Sequence, residues 1–135
     1  MRKVPSFSII DTTLREGEQF ATTDFTSHDR IYLAKLLDTI GVDYIELVNP
    51  FASKQVSLLH LGTATERCLT MGSQAREDCT NIAKLGLRAK IVAHTRCHMD
   101  DVRAAADTGI DGVSMYMATS EALRKHSHGK GVAVS

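Results

Sequence analysis

The sequence predicts an α/β fold built from parallel βα units, and two observations support this prediction. Short apolar runs alternate with segments in which apolar residues recur at helical spacing. One phrase, a helix end followed by Gly, an apolar residue and a strand, occurs three times, at Gly41-Val42, Gly86-Leu87 and Gly109-Ile110. Gly at a helix C-terminus is the expected left-handed cap. Right-handed crossovers would bring the carboxyl ends of all strands to one edge of the sheet.

The first two strands enclose one predicted helix. The apolar run before Asp11 predicts a strand over residues 6–10, and a loop follows to residue 25. Thr26, with an acid three residues later, predicts the start of a helix that ends at Gly41. The second strand is predicted over residues 42–48.

Two further helix and strand pairs follow. The pattern predicts a helix over about residues 75–85 and a strand over 88–93. It then predicts a helix over about 99–108 and a strand over 112–117.

The second unit is longer than the third. Gly41 and Gly86 lie 45 positions apart, whereas Gly86 and Gly109 lie 23 apart. The excess falls on about residues 56–74, which we interpret as an insertion within an otherwise single domain over 1–135. Two origins remain open: a natural helical hairpin in a βα loop, where such folds vary, or translated intron sequence.

The amino-acid composition limits which binding partners and which cellular location are expected. The chain has 135 residues with 16 basic and 16 acidic side chains, so its net charge does not indicate a nucleic-acid or anionic-membrane partner. No apolar run approaches a membrane span. The first strand begins so early that no targeting segment is expected. The cysteines Cys68, Cys79 and Cys97 lack a CxxC pair, which favours free thiols and an intracellular location.

Residues 11–20 form the most informative stretch of the chain. They contain three acids, Arg15 and Gln19 within ten positions. Carboxylates provide the hard oxygen ligands that suit a divalent cation, and a guanidinium fork suits a carboxylate substrate. The alternative is a polar loop with a helix start, because Asp and Thr are common in turns and caps.

Polar residues also stand at corresponding points of successive units. If the strands are parallel, these residues share one edge of the sheet, and charged groups that meet there favour a site over isolated surface residues. They are Asp11, Arg15, Glu16, Glu46, His94, Arg96 and Thr119.

Three strings, 11-DTTLREGEQ-19, 96-RCHMDD-101 and 127-SHGK-130, identify a family resemblance. They resemble the metal-dependent TIM-barrel acyltransferases that include homocitrate synthase, 2-isopropylmalate synthase, citramalate synthase and hydroxymethylglutaryl-CoA lyase. The homocitrate synthase branch is the most similar. Because a complete (β/α)₈ barrel needs about 250 residues, the resemblance implies the first half of such a barrel, which is incomplete.

The resemblance also implies residue roles. Glu16 would be a ligand of a divalent metal, Zn, Mn or Mg. Arg15 would bind the 2-oxo acid and stabilise the developing alkoxide, and Glu46 would support catalysis from the second strand. Gln19 would line the substrate pocket, and His94 would contact the distal carboxylate of 2-oxoglutarate.

The implied reaction is a Claisen-type condensation. Acetyl-CoA, the co-substrate, would lose a methyl proton, and its carbanion would attack the ketone of 2-oxoglutarate, which the metal polarises. Thioester hydrolysis would give homocitrate, an intermediate of lysine biosynthesis. The resemblance also implies a homodimer in the mitochondrion or cytoplasm.

Two departures from the family limit these expectations. Ser114 replaces an Asp that homocitrate synthases usually carry and that is linked to lysine feedback. The His-x-His metal pair of a later strand is missing; His126 and His128 have its spacing but match the Ser-His-Gly-Lys string. We therefore expect the isolated chain to self-associate and lack synthase activity. The alternatives are a 2-isopropylmalate or citramalate synthase, the less similar lyase, and a non-catalytic half-barrel binding module.

Overall fold

The computed structural model describes residues 6–17, 25–50, 64–116 and 120. Over these residues the elements alternate, and each of the last three strands follows a helix of eight or more residues. In chain order they are β1 (Ile10–Asp11), α1 (Thr13–Glu16), α2 (Ser27–Ile40), β2 (Tyr44–Leu47), α3 (Ala64–Ala83), β3 (Lys90–Arg96), α4 (Met99–Ala106) and β4 (Gly112–Tyr116).

The four strands form one parallel sheet in the order β1-β2-β3-β4. Each helical connection therefore returns the chain to the neighbouring position, as in a (β/α)₈ barrel. The predicted α/β class and the parallel βα units are confirmed. The open sheet of four strands corresponds to part of a barrel. None of the described helices is long and apolar enough to cross a membrane.

One face of the sheet packs against the helices. Ile45 and Ile91 point to this face and join the core with Ala34 of α2 and Ile82 of α3. Because side chains alternate along a strand, Glu46 points to the opposite face. The registers Glu46 to Val92 and His94 to Ser114 extend that second face across three strands.

Local sequence signals set the ends of α2. The Thr26 side chain accepts a hydrogen bond from the Asp29 backbone N–H, and the Asp29 carboxylate accepts one from the Thr26 backbone N–H. This is the predicted capping box. Gly41 ends the helix with a φ of 94°, which confirms the predicted left-handed cap. Gly86 and Gly109 also have positive φ, but each lies three residues after the last residue of its helix, and Asp107 is the C-cap of α4.

Two aspartates, one before β2 and one before β4, hydrogen-bond the backbone of the neighbouring segment in the sheet. The Asp43 carboxylate accepts the backbone N–H of Ile9 at 2.7 Å, and its own N–H donates to the Ile9 carbonyl. Asp111 makes the same pair of hydrogen bonds with Ile91. Both aspartates stand two residues after a glycine with positive φ. At these two points the chain therefore forms hydrogen bonds to the neighbouring segment of the sheet directly after the repeated Gly-apolar pair.

Several predicted boundaries were wrong. β1 has two residues instead of five, and the predicted loop after it contains α1. Strand three was predicted to end at residue 93, but β3 continues to Arg96 because His94, Thr95 and Arg96 pair with β4. Backbone pairing with a neighbouring strand thus extends β3 through polar residues.

The second helix was also predicted too short. α3 begins at Ala64 and continues unbroken to Ala83, so residues 64–74 of the predicted insertion are helical. Gly72 does not interrupt it, since one interior Gly costs only about 1 kcal/mol relative to Ala. Residues 56–63 lie outside the described part, and the insertion stays a prediction.

Candidate active site

The short helix α1 carries the first two site residues. Leu14 is almost fully buried in the core and anchors the helix, which leaves Arg15 to extend toward β2. The Asp11 carboxylate accepts the Thr13 backbone N–H at 2.9 Å. Asp11, which was predicted as a site residue, therefore stabilises the first turn of α1.

Arg15 joins two carboxylates. Its Nε lies 2.6 Å from Oε2 of Glu46, and its Nη2 lies 2.6 Å from Oε1 of Glu16. The Glu46 side chain is 5% exposed and the Glu16 side chain 50% exposed. The guanidinium is thus held on one side by a buried acid, while its other ion pair faces solvent.

Glu46 is the most heavily contacted acid of this site. Burial by itself raises the pKa of its carboxyl group, but the hydrogen bonds from Ser114 and Arg15, with the positive charge of Arg15, outweigh burial. The net pKa is lower than usual. Glu46 is therefore ionised at neutral pH and suited to holding a cation, not to donating a proton.

His94 completes the cluster. Its Nδ1 lies 3.5 Å from Oε1 of Glu46 and is buried without a hydrogen-bond partner among the described residues. Its ring stacks on Tyr116, with centroids 5.0 Å apart and planes 20° from parallel. The ring is therefore held between an acid and an aromatic side chain.

The cluster carries more negative than positive charge. Arg15 contributes one positive charge against the carboxylates of Glu16 and Glu46, so the sum is negative while His94 is neutral. An added cation at the half-exposed Glu16 would offset this charge. Within the described part of the chain, however, no three His, Cys, Asp or Glu side chains are grouped to hold a metal. Glu16 fits one ligand of a cation, and the described residues do not form a complete site.

An open depression adjoins Glu16. Asp11, Thr13 and Phe25 contribute to its lining, so the exposed carboxylate borders accessible space. A second depression, bordered by Asp43 and Lys90, lies at the opposite end of the strands and contains none of the predicted site residues.

Arg96 takes part in a different network. Its Nε and Nη2 donate to the two oxygens of Asp101 at 2.8 and 2.7 Å, and Asn49 donates to the same carboxylate at 2.7 Å. Asp101 is completely buried. The network joins the end of β3 and Asn49, which follows β2, to α4, so the Arg96–Asp101 ion pair has a structural role here.

The structure thus brings together Arg15, Glu16, Glu46 and His94, four of the predicted site residues. Gln19 and Thr119 lie outside the described residues. No site role was predicted for Tyr116, or for Ser114 as a residue that lowers the pKa of Glu46. The two-residue alternation of β4 contained the signal, because it places both side chains on the face that carries His94.

Comparison with known proteins supports the family resemblance identified from the sequence motifs. The HMGL-like family model matches residues 6–134. The mitochondrial homocitrate synthase of Schizosaccharomyces pombe is 49% identical over 130 residues, which is 96% of this chain and 27% of that protein. The mitochondrial homocitrate synthase of Saccharomyces cerevisiae is 48% identical over 96% of this chain and 25% of its own length. 2-Isopropylmalate synthase 2 of Caldanaerobacter subterraneus is 36% identical over 118 residues.

These matches show how much of each relative the chain corresponds to. It spans about a quarter of the length of the curated relatives it matches. The resemblance stated from the sequence motifs is confirmed, including the restriction to an N-terminal portion. With a family model that covers nearly its whole length and a parallel βα sheet carrying the motif residues at one site, the chain belongs to the HMGL-like family.

Proposed function

We propose that this chain forms the 2-oxo-acid-binding part of an acyltransferase site that condenses acetyl-CoA with 2-oxoglutarate to homocitrate. One observation carries the proposal: the Arg15 guanidinium is fixed through Nε by the buried, ionised Glu46, next to His94. An arginine held on one edge can bind a substrate carboxylate with its remaining N–H groups. The similarity to homocitrate synthases supports the choice of substrates.

Each residue of the cluster has a distinct proposed role. Arg15 binds the 2-oxo acid and stabilises the alkoxide that forms when the acetyl carbanion attacks the ketone. His94 binds the distal carboxylate of 2-oxoglutarate. Glu46 supports catalysis by orienting Arg15, since an acid with a lowered pKa is a poor proton donor. Gln19 is proposed to line the same pocket.

A divalent cation, Zn, Mn or Mg, is proposed to bind beside this cluster. Glu16 supplies one ligand, and the negative sum of charges supports a cation there. The other ligands are proposed to come from residues outside the described part of the chain.

A 2-isopropylmalate synthase is the second candidate, because one such enzyme is 36% identical to this chain. Its 2-oxo acid, 2-oxoisovalerate, ends in an apolar branch and has no distal carboxylate. His94, held between Glu46 and Tyr116, suits a polar substrate end better than an apolar one. We therefore place 2-oxoglutarate first.

A chimeric enzyme tests the proposal. This chain would replace the matching N-terminal quarter of the mitochondrial homocitrate synthase of Saccharomyces cerevisiae, which is 48% identical. We expect the chimera to form homocitrate and to prefer 2-oxoglutarate over 2-oxoisovalerate and pyruvate. Arg15→Gln should reduce kcat/KM on the order of 100-fold, since an anion-stabilising donor is lost.

Arg103→Gln is the matched control. The Arg103 side chain lies on α4, is 70% exposed, and forms a surface ion pair of 3.5 Å with Asp100. Because exposed ion pairs contribute little, Arg103→Gln should leave the activity of the chimera within about twofold. A folded chimera that prefers 2-oxoisovalerate would overturn the substrate assignment. A folded chimera that binds acetyl-CoA and 2-oxo acids without turnover would support a non-catalytic binding module.

The cellular compartment and the oligomeric state of the complete enzyme are proposed from its relatives. The Saccharomyces cerevisiae proteins that match are named a mitochondrial homocitrate synthase and a cytosolic isozyme. We propose one of these two compartments, and a homodimer of the complete enzyme.

A further inference from the structure

His94 carries a ring whose orientation its place on β3 does not fix. The torsion that sets the plane of a histidine ring is broad and roughly two-fold, so contacts with neighbouring side chains decide where its two nitrogens point. Glu46 supplies one such contact, because its Oε1 lies 3.5 Å from the buried Nδ1 of His94. The 21% exposure of the His94 side chain therefore comes from its other atoms.

Tyr116 supplies the second contact. The two residues are diagonal neighbours on one face of the sheet, since His94 pairs with Ser114 in the register and Tyr116 stands two residues further along β4. Their rings are stacked, with centroids 5.0 Å apart and planes 20° from parallel, within the range of favourable aromatic contacts. Turning the His94 ring out of this plane would lose the stack. The stack thus restricts the plane, and Glu46 distinguishes the two flipped orientations that the plane allows.

We propose that Tyr116 is a positioning residue that fixes the plane of the His94 ring and so presents the Nε2 edge of that ring to the distal carboxylate of the substrate. The inference deepens the proposed function and rests on it for the identity of this carboxylate. The stack uses the aromatic face of Tyr116 and not its hydroxyl group, so phenylalanine should serve equally at this position.

Carbon-13 relaxation of the His94 ring tests the positioning directly in the 135-residue chain. The order parameter of the ring C–H bonds measures how firmly the ring is held. In Tyr116→Val we expect this order parameter to fall by about 0.2, most of the difference between a rigid and a flexible group, because the stack is lost. Valine is a strand-compatible residue, so the pairing of β4 with β3 should persist. Tyr116→Phe retains the ring face and should keep the wild-type value.

Tyr32→Val is the matched control. Tyr32 is 61% exposed, against 62% for Tyr116, but it lies on α2, on the other side of the sheet. Removing its ring takes away a similarly exposed aromatic side chain and should leave the His94 order parameter unchanged. Equal falls in Tyr116→Val and Tyr32→Val, or no fall in Tyr116→Val, would overturn the positioning role. An equal fall in Tyr116→Phe would also overturn it, since the ring face would then not be the group that matters.

The chimera provides a second readout that separates the two proposals. Tyr116→Val should raise KM for 2-oxoglutarate about fivefold, with a smaller change in kcat and with KM for acetyl-CoA within about twofold, because His94 is proposed to bind the 2-oxo acid. Equal increases in both KM values would indicate a general structural defect and overturn the role. A lower His94 order parameter together with a chimera that forms no homocitrate would sustain the positioning of the ring and reject the proposed function. Homocitrate formation with an unchanged order parameter and unchanged KM in Tyr116→Val would do the reverse.

Discussion

At the scale of residues, three buried acids are each paired with an arginine. The closest nitrogen–oxygen distances are between 2.6 and 2.7 Å, and each acid is at most 5% exposed at its side chain. The pairs are Arg15 with Glu46, Arg30 with Asp78, and Arg96 with Asp101. Glu46 of the first pair also faces His94, whereas the other two pairs join α2 to α3 and β3 to α4. Similar ion pairs therefore occur at the proposed substrate-binding site in one place and between packed elements in two.

Asp101→Asn should destabilise the chain by about 2 kcal/mol. The substitution removes the charge that binds Arg96, whose side chain is 44% exposed, and leaves a weaker acceptor at the fully buried position 101. Urea denaturation monitored by circular dichroism would measure the difference. Asp100→Asn, at a neighbouring residue with 56% side-chain exposure, should change stability by less than about 0.5 kcal/mol.

The same substitution should change how stability depends on pH. Burial raises the pKa of Asp101, but hydrogen bonds from Arg96 and Asn49 outweigh it and hold the pKa below its usual value. The stabilisation is therefore complete above the unfolded pKa of about 3.9 and is lost as pH falls through the lower folded pKa. The wild-type advantage over Asp101→Asn should shrink below about pH 4. A constant difference across this range would contradict the assignment.

At the scale of elements, local signals predicted helix α2 better than they predicted the strands. Its capping box and its terminal Gly41 lie within the helix or directly beside it, so the sequence contains all the groups involved. The strand boundaries depend on neighbours that are distant in sequence, which is why β1 was predicted too long and β3 too short. The pairing role of Asp43 and Asp111 was likewise visible only in the sheet.

Thr26→Ala should destabilise α2 by about 1 kcal/mol. The substitution removes the side-chain oxygen that accepts the Asp29 backbone N–H at the first turn. Thr26→Ser keeps that oxygen and should recover most of the loss, as measured by the urea midpoint. Thr39→Ala provides a comparison within the same helix, because the Thr39 hydroxyl binds the Lys35 carbonyl and caps no terminus. A larger effect at Thr39 than at Thr26 would argue against the capping role.

At the scale of the whole molecule, the described sheet has two outer strands. β1 and β4 each pair on one side among the described residues, and apolar side chains near both are exposed. Ile10 is 53% exposed on β1, and Met115 is 56% exposed on β4. Unpaired strand edges with apolar side chains favour association with another chain or segment.

We expect the 135-residue chain to self-associate through these edges. Met115→Lys should weaken association about tenfold, since a charged residue on an edge strand opposes pairing. Sedimentation velocity over a concentration series would measure it. Tyr32→Lys is the control, because Tyr32 is also exposed, at 61%, but lies on α2 away from either edge. Equal effects of the two substitutions would show that general surface hydrophobicity drives association.

The sequence by itself determined the α/β class, the repeated βα units, the helix caps and the motif residues Arg15, Glu16, Glu46 and His94. These features follow from spacing, from glycine conformation and from strings of residues that resemble a family. Only the tertiary structure decided that Arg96 pairs with Asp101, that Asp11 stabilises a helix start, and that His94 stacks on Tyr116. The physical reason is register: hydrogen bonds between distant residues depend on how strands align, and that alignment is a property of the folded sheet.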